Sequence, residues 1–166
     1  RKEPLFLFGT SIGAWKFAAA AQTNCAEAFD RLADAYIHQI YEGRITPEKI
    51  SQESEKIFRQ FLPQENINQI LSHPFLRLSF SAVKSKGITA TDNPLILSLG
   101  LVAAFLANLK SRHLQRHFFE RTLFHDPRNQ STVFEMNDFP LTRVPLDTNN
   151  LKQALLASGS IPLIMN

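Results

Sequence analysis

The stretch Leu5–Gln22, LFLFGTSIGAWKFAAAAQ, constrains the fold more than any other part of this chain. The continuously apolar run Leu5–Phe8 is typical of a short strand buried on both faces of a parallel sheet. The alanine-rich segment Ala14–Gln22 predicts a helix that lies close against that sheet. The junction between them, residues 9–13, reads Gly-Thr-Ser-Ile-Gly. A serine on a turn from strand to helix is the arrangement of a nucleophile elbow.

Ser11 is therefore the candidate nucleophile. In an elbow, a strained backbone lifts the serine hydroxyl above the sheet, and flanking glycines such as Gly9 and Gly13 keep side chains out of the turn. The N–H groups that open the following helix can stabilise an oxyanion. A glycine-rich turn with an incidental serine is the simpler alternative. A phosphate-binding loop is disfavoured because the required lysine is missing.

Helices and widely spaced strands alternate along the rest of the chain, which favours a layered α/β fold. The capping pattern Thr46-Pro47-Glu48 starts one predicted helix. A second has an apolar face formed by Phe29, Leu32, Ala33, Tyr36, Ile37 and Ile40. The predicted helices are Asn24–Glu42, Pro47–Leu62, Glu65–Ser72 and Asn149–Ser158. The predicted strands are Leu76–Val83, Phe118–His125 and Thr132–Met136, with a turn at Asp126–Asn129 before the last. In the first strand, Leu76, Leu78, Phe80 and Ala82 alternate with the other residues, which predicts one buried face.

The segment Leu95–Leu109 is almost entirely apolar and continues into a basic tail, Lys110–His117. Its length fits a helix buried in one layer of the fold. The same pattern fits a helix that faces lipid, with its basic end near anionic headgroups. Either position accounts for the pattern.

The overall composition fits one globular domain of 166 residues. The net charge is only +3, because the 18 lysines and arginines are interrupted by 15 acidic residues. We therefore expect no nucleic-acid partner. The single cysteine, Cys25, excludes an internal disulfide. Since no signal peptide or run of 18 apolar residues is present, we expect a cytoplasmic or peripheral membrane protein. The start at Arg1 indicates a piece of a longer chain.

Two segments near the ends of the chain resemble the patatin-like phospholipases. FGTSIGAW, Phe8–Trp15, is similar to the Gly-Thr-Ser-x-Gly elbow of that family. ALLASGSIPLIM, Ala154–Met165, is similar to its Ala-Ser-x-Ala/Ser-x-Pro segment. Between them, RTLFHDPRNQSTVF looks like the strand, turn and strand that follow the first helical layer in the family. The motifs occur in the family's order, so the resemblance spans nearly the whole chain.

This resemblance implies a three-layer α/β/α sandwich, truncated at both ends, with a large helical insertion after the elbow. Residues 1–166 would form a single partial acyl-hydrolase domain. By the same resemblance Ser11 would be the nucleophile of a serine–aspartate dyad, Gly9, Thr10 and Gly13 would shape the elbow, and the Ile12 N–H would face the oxyanion. Isoleucine departs from the small residue usual there, which affects the expected shape of the acyl pocket.

The implied activity is hydrolysis of a lipid or other acyl ester, with no metal or organic cofactor. The family's glycine-rich oxyanion loop precedes the elbow strand, and its aspartate lies in an Asp-Gly-Gly or Asp-Gly-Ala motif after the Ile-Pro segment. The chain contains no Asp-Gly pair. We therefore expect the parent protein to be active and the 166 residues alone to be inactive.

Two other functions stay open. The chain can be a binding or scaffold protein that keeps the fold without the chemistry. Alternatively it is a histidine-dependent α/β-hydrolase or acyltransferase, in which Ser11 and Asp92 work with His113, His117 or His125. The spacing of His113 and His117 also suits a metal ligand pair, but the surrounding His-Glu-x-x-His pattern is absent.

Overall fold

The computed structural model describes residues 3–40, 46–129 and 140–160 of the chain. Four strands form one mixed sheet in the order β1-β2-β3-β4: β1 Leu5–Thr10, β2 Leu76–Ser85, β3 Phe119–His125 and β4 Leu141–Pro145. β1 is parallel to β2, β2 is antiparallel to β3, and β3 is parallel to β4. The predicted α/β class is confirmed at this level.

The described residues include six α-helices: α1 Ile12–Ala20, α2 Cys25–Ile37, α3 Pro47–Phe61, α4 Ile67–Ser72, α5 Pro94–Lys110 and α6 Leu151–Gly159. Short 3₁₀ turns occupy Gln64–Asn66, Gly87–Thr89 and Arg112–His117. The predicted cap is confirmed, since the Thr46 hydroxyl accepts a hydrogen bond from the Lys49 amide at 3.4 Å. The predicted turn is also confirmed, because the Asn129 amide donates to the Asp126 carbonyl at 2.9 Å.

The core lies on one face of the sheet. β2 alternates as predicted, and it turns Leu76, Leu78 and Phe80 toward the helices. The same cluster includes residues of α1, α3, α4 and α6. Ala14, Ala18, Ala19 and Ala21 are completely buried, so small side chains bring α1 close to its neighbours as expected. Trp15 fills the centre with its ring centroid 4.6 Å from that of Phe58.

Two predictions about burial were wrong. The strand Leu5–Phe8 was expected to be buried on both faces, but Leu5 is 53% exposed because β1 is an edge strand of the described sheet. On α2, the larger apolar side chains Phe29, Tyr36 and Ile37 are exposed, as is Ile40 beyond it, and the buried positions are Ala28 and Leu32. The small side chain of Ala28 lets α2 approach its neighbours closely on that side. The side that carries Phe29, Tyr36 and Ile37 stays in solvent.

The last part of the chain holds one strand that was not predicted and two predicted features that lie outside the described residues. β4 was not predicted, because Leu141–Pro145 is short and ends in proline. The predicted hairpin strand Thr132–Met136 lies outside the described residues, as does the Ile-Pro part of the ALLASGSIPLIM segment.

α5 differs most from the expected buried helix. Its buried residues are the small Gly100 and Ala104, while Leu95, Leu99, Val102, Phe105, Leu106 and Leu109 are each more than half exposed. Gly100 is required by packing, since a Cβ there would lie 3.0 Å from the Ile88 carbonyl oxygen. α5 thus rests on the Gly87–Thr89 turn at its small residues. None of the helices in the described ranges combines the length and the apolar character that crossing a membrane requires.

Candidate active site

Ser11 occupies the turn between β1 and α1, at the end of the sheet where β1 stops. Its backbone has φ 52° and ψ −133°, and it is the one non-glycine residue with positive φ in the described ranges. Such a conformation costs about 1–3 kcal/mol in a residue that carries a side chain, so the surrounding contacts must hold it in place. A nucleophile elbow requires a strained strand-to-helix turn of this kind.

The packing of the turn explains Gly9. A Cβ at this position would lie 2.8 Å from the Ala14 amide nitrogen and 2.9 Å from the Gly13 carbonyl carbon. Both are backbone atoms of the first turn of α1, which cannot rotate away. A Cβ at Gly13 would meet no such neighbour within 4 Å. The turn therefore requires glycine at position 9, whereas position 13 borders open space.

The Ser11 hydroxyl is available for chemistry. A serine that precedes a helix commonly accepts a hydrogen bond from the first turn, but Ser11 makes no such capping bond and its side chain is exposed. The Ser11 carbonyl instead accepts from the Ala14 amide at 2.9 Å. Ile12 and Gly13 supply the first N–H groups of α1, which have no carbonyl partner inside the helix. These two donors lie immediately after the candidate nucleophile.

Ser158 of α6 holds the elbow from the other end of the chain. Its Oγ accepts a hydrogen bond from the Ser11 amide at 3.0 Å and donates to the Ser81 carbonyl of β2 at 2.8 Å. The hydroxyl therefore ties the elbow to the central strand. It also occupies the Ser11 amide, which leaves the Ile12 N–H as the nearest available donor. No role was predicted for Ser158, although it lies in the ALLASGSIPLIM segment.

Trp15 fixes α6 beside the elbow. Its Nε1 donates to the Leu155 carbonyl at 2.9 Å, in a buried hydrogen bond. A Cβ at Gly159 would lie 2.8 Å from the Trp15 ring, so α6 can approach only with glycine there. As a result, the segments Phe8–Trp15 and Ala154–Gly159, which are far apart in sequence, meet at the end of β1.

In the described ranges, no residue of the alternative histidine triad makes a hydrogen bond to Ser11. Thr10 pairs with Ser81 of β2, and Ser81 pairs with Leu123 of β3. His125 therefore lies two strands away from Ser11 and three residues further from the end of the sheet at which β1 stops. At about 3.3 Å per residue and 4.8 Å per strand, this corresponds to about 14 Å. His113 and His117 are exposed on the 3₁₀ turn Arg112–His117, and Asp92 is exposed in the loop before α5.

Glu120 of β3 is the one carboxylate on the four described strands. By the same spacings it lies about 12 Å from Ser11. The Thr142 hydroxyl donates to it, and the Lys86 ammonium lies 3.6 Å away. The hydrogen bond from Thr142, followed by the nearby lysine charges, lowers the pKa of Glu120 below its usual value. A carboxylate held in this way is a weak base. Within the described ranges, no carboxylate or imidazole makes a hydrogen bond to Ser11.

A cleft in the described part of the chain lies apart from the elbow. This cleft of about 540 Å³ between α5 and the Arg112–His117 turn includes Phe105, Arg112 and Phe119 in its lining and no residue of the elbow. In the part of the chain that the structure describes, no group of three or more histidine, cysteine or acidic side chains is placed to hold a metal ion.

Comparisons of the chain with protein-family models, with curated proteins and with solved structures found no match.

Proposed function

We propose that this chain carries the nucleophile of a serine acyl hydrolase that acts on lipid esters. The backbone of Ser11 carries the proposal: a non-glycine residue is held at positive φ between a strand and a helix, with its hydroxyl exposed and not used for capping. A structural turn without chemistry would more readily use glycine at that position. The strain at Ser11 is explained if the exposed hydroxyl is functional.

In the proposed mechanism, Ser11 Oγ attacks the ester carbonyl carbon while a base takes its proton. The carbonyl oxygen becomes an oxyanion that accepts hydrogen bonds from the N–H groups at the start of α1, at Ile12 and Gly13. The tetrahedral intermediate then expels the alcohol, which leaves with a proton, and forms an acyl-serine. Water attacks this ester, releases the carboxylic acid and restores Ser11. The base is an aspartate from outside the 166 residues, as the patatin resemblance implies.

We further propose that the fold is a patatin-like three-layer α/β/α sandwich, of which this chain is a single partial domain. The parallel pairing of β1 with β2 and the helices between them, α1 to α4, support this proposal. The contact of α6 with the elbow also supports it, because it joins the two segments that resemble the family. The large helical insertion corresponds to α2, α3 and α4, and the protein works in the cytoplasm or at a membrane surface.

Fluorophosphonate labelling of the complete protein tests the function. We expect a covalent adduct on the peptide that contains Ser11, located by mass spectrometry. Ser11→Ala abolishes the adduct, whereas Ser160→Ala, a matched change of an exposed serine beside the same site, leaves it intact. Circular dichroism confirms that both variants are folded. The 166 residues alone should label at least a hundredfold more slowly, since they lack the proposed base.

The same experiment decides between the alternatives. A folded protein without any adduct would refute the hydrolase and favour a scaffold that retains the elbow only as part of its fold. An adduct on Ser11 that disappears when His113, His117 or His125 is replaced by glutamine would favour the histidine-dependent enzyme instead.

A further inference from the structure

The exposed side of α5 is an ordered apolar stripe. Leu95, Leu99, Val102, Leu106 and Leu109 follow each other at intervals of four and three residues. With 3.6 residues per turn they fall within an arc of about 80° on the helix surface. Each of the five is between 56% and 77% exposed. The buried positions, Gly100 and Ala104, lie on the opposite side of the helix, so the stripe faces away from the other described parts of the chain.

Three cations follow the C-terminal end of this stripe in the chain. Lys110, Arg112 and Arg116 are all exposed, and no aspartate or glutamate occurs between Asp92 and Glu120. Lys110 lies on the same side of α5 as the stripe, about 60° from Leu95 around the helix axis. The region therefore combines a linear apolar surface with cations at one end and no acidic residue within it.

We propose that α5 binds the surface of an anionic lipid membrane, with the five-residue stripe among the acyl chains and the cations at the phosphate level. An exposed apolar helix surface bordered by a cation can bind such membranes through both contributions. Self-association is less well matched, since two copies of residues 93–119 contain no carboxylate to pair with these cations. Membrane binding goes beyond ester hydrolysis and does not depend on Ser11.

α5 begins from the end of the sheet that holds the elbow. β1 and β2 are parallel, so Ser11 follows β1 at the same end at which β2 leads through the Gly87–Thr89 turn into α5. The proposed membrane contact and the candidate nucleophile are thus connected to the same end of the sheet.

Sedimentation with vesicles tests the proposal. The complete protein carrying Ser11→Ala, which cannot consume the lipid, is mixed with phosphatidylcholine vesicles with and without phosphatidylglycerol. We expect binding to the anionic vesicles that weakens as salt is raised. The double variant L99S/L106S should lower the partition coefficient about a hundredfold, from the loss of two apolar side chains. K110E/R116E should lower it about thirtyfold or more, from the loss of two cations.

Matched variants elsewhere on the surface serve as controls. I37S/I40S removes two isoleucines that are each 73% exposed, and K49E/K152E reverses two lysines on other helices. Both should bind like the parent. Binding that is absent, or that L99S/L106S and K110E/R116E leave unchanged, overturns the proposal. So does sedimentation analysis in which the parent is a dimer, L99S/L106S is a monomer and neither binds vesicles, since the stripe then faces a second copy.

Discussion

Replacing Gly9 by alanine tests whether the elbow is held by tight packing. The new methyl group would meet three backbone atoms of the first turn of α1, at 2.8, 2.9 and 3.0 Å. Because no flexible side chain can move aside, the first turn itself must shift. Overpacking of this kind costs about 1–3 kcal/mol, so we expect the free energy of unfolding to fall by about 2 kcal/mol.

Gly13→Ala is the matched comparison in the same turn. No atom lies within 4 Å of the added methyl group, and position 13 is inside α1. Alanine is favoured over glycine in a helix by up to about 1 kcal/mol, so this variant should be slightly more stable than the parent. Positions 9 and 13 each lie two residues from Ser11, one on either side, and each variant adds one methyl group. The two changes should nevertheless alter stability in opposite directions.

Urea unfolding followed by Trp15 fluorescence measures both effects. Trp15 is the sole tryptophan, is 5% exposed and packs beside the elbow, so its emission reports on this region. With a slope of about 2 kcal/mol per molar urea, Gly9→Ala should lower the midpoint by about 1 M and Gly13→Ala should raise it by a few tenths. Equal midpoints for Gly9→Ala and the parent would refute the packing argument. Equal losses in both variants would indicate that backbone freedom, and not the methyl contacts, sets the requirement for glycine.

Two further predictions concern hydrogen bonds. Ser158→Ala removes the acceptor of the Ser11 amide, so we expect about 1 kcal/mol of lost stability in urea unfolding and slower fluorophosphonate labelling, with Ser160→Ala unchanged in both. His73 accepts the Leu76 amide at Nδ1, and burial, then the charges of two nearby arginines, lowers the pKa of its imidazole. A lowered pKa favours the neutral form in the folded state, so stability should fall as pH drops below about 6.5, and less so in His73→Gln when thermal unfolding is measured between pH 7 and 5.

Local signals explain which parts of the fold could be predicted from the sequence. The Thr46-Pro47 cap, the alternation along β2 and the Asp126–Asn129 turn each depend on residues within one short segment, and all three are confirmed. The position of Ser11 between a strand and a helix could be predicted for the same reason. Its backbone conformation fits this position, while its catalytic role stays a prediction.

Contacts between distant segments explain what could not be predicted. The hydrogen bond between Ser11 and Ser158 spans 147 residues, and no local pattern marks one serine of α6 as its partner. The requirement for glycine at position 159 could not be predicted either, because it arises only where α6 meets the Trp15 ring. β4 has a weak pattern of its own and is defined by its parallel pairing with β3.

α1 and α5 show why apolar composition alone does not determine burial. Both helices are apolar around most of their circumference, but Ala14 and Ala18 of α1 are fully buried, whereas Leu99 and Leu106 of α5 are well exposed. The pattern indicates which side chains gain from leaving water, and it does not indicate what covers them. Covering the exposed part of the five stripe residues would yield about 1–2 kcal/mol each, or about 5–10 kcal/mol together. This total is comparable with the net stability of a whole domain, so a covering surface such as the proposed membrane would strongly favour the bound state.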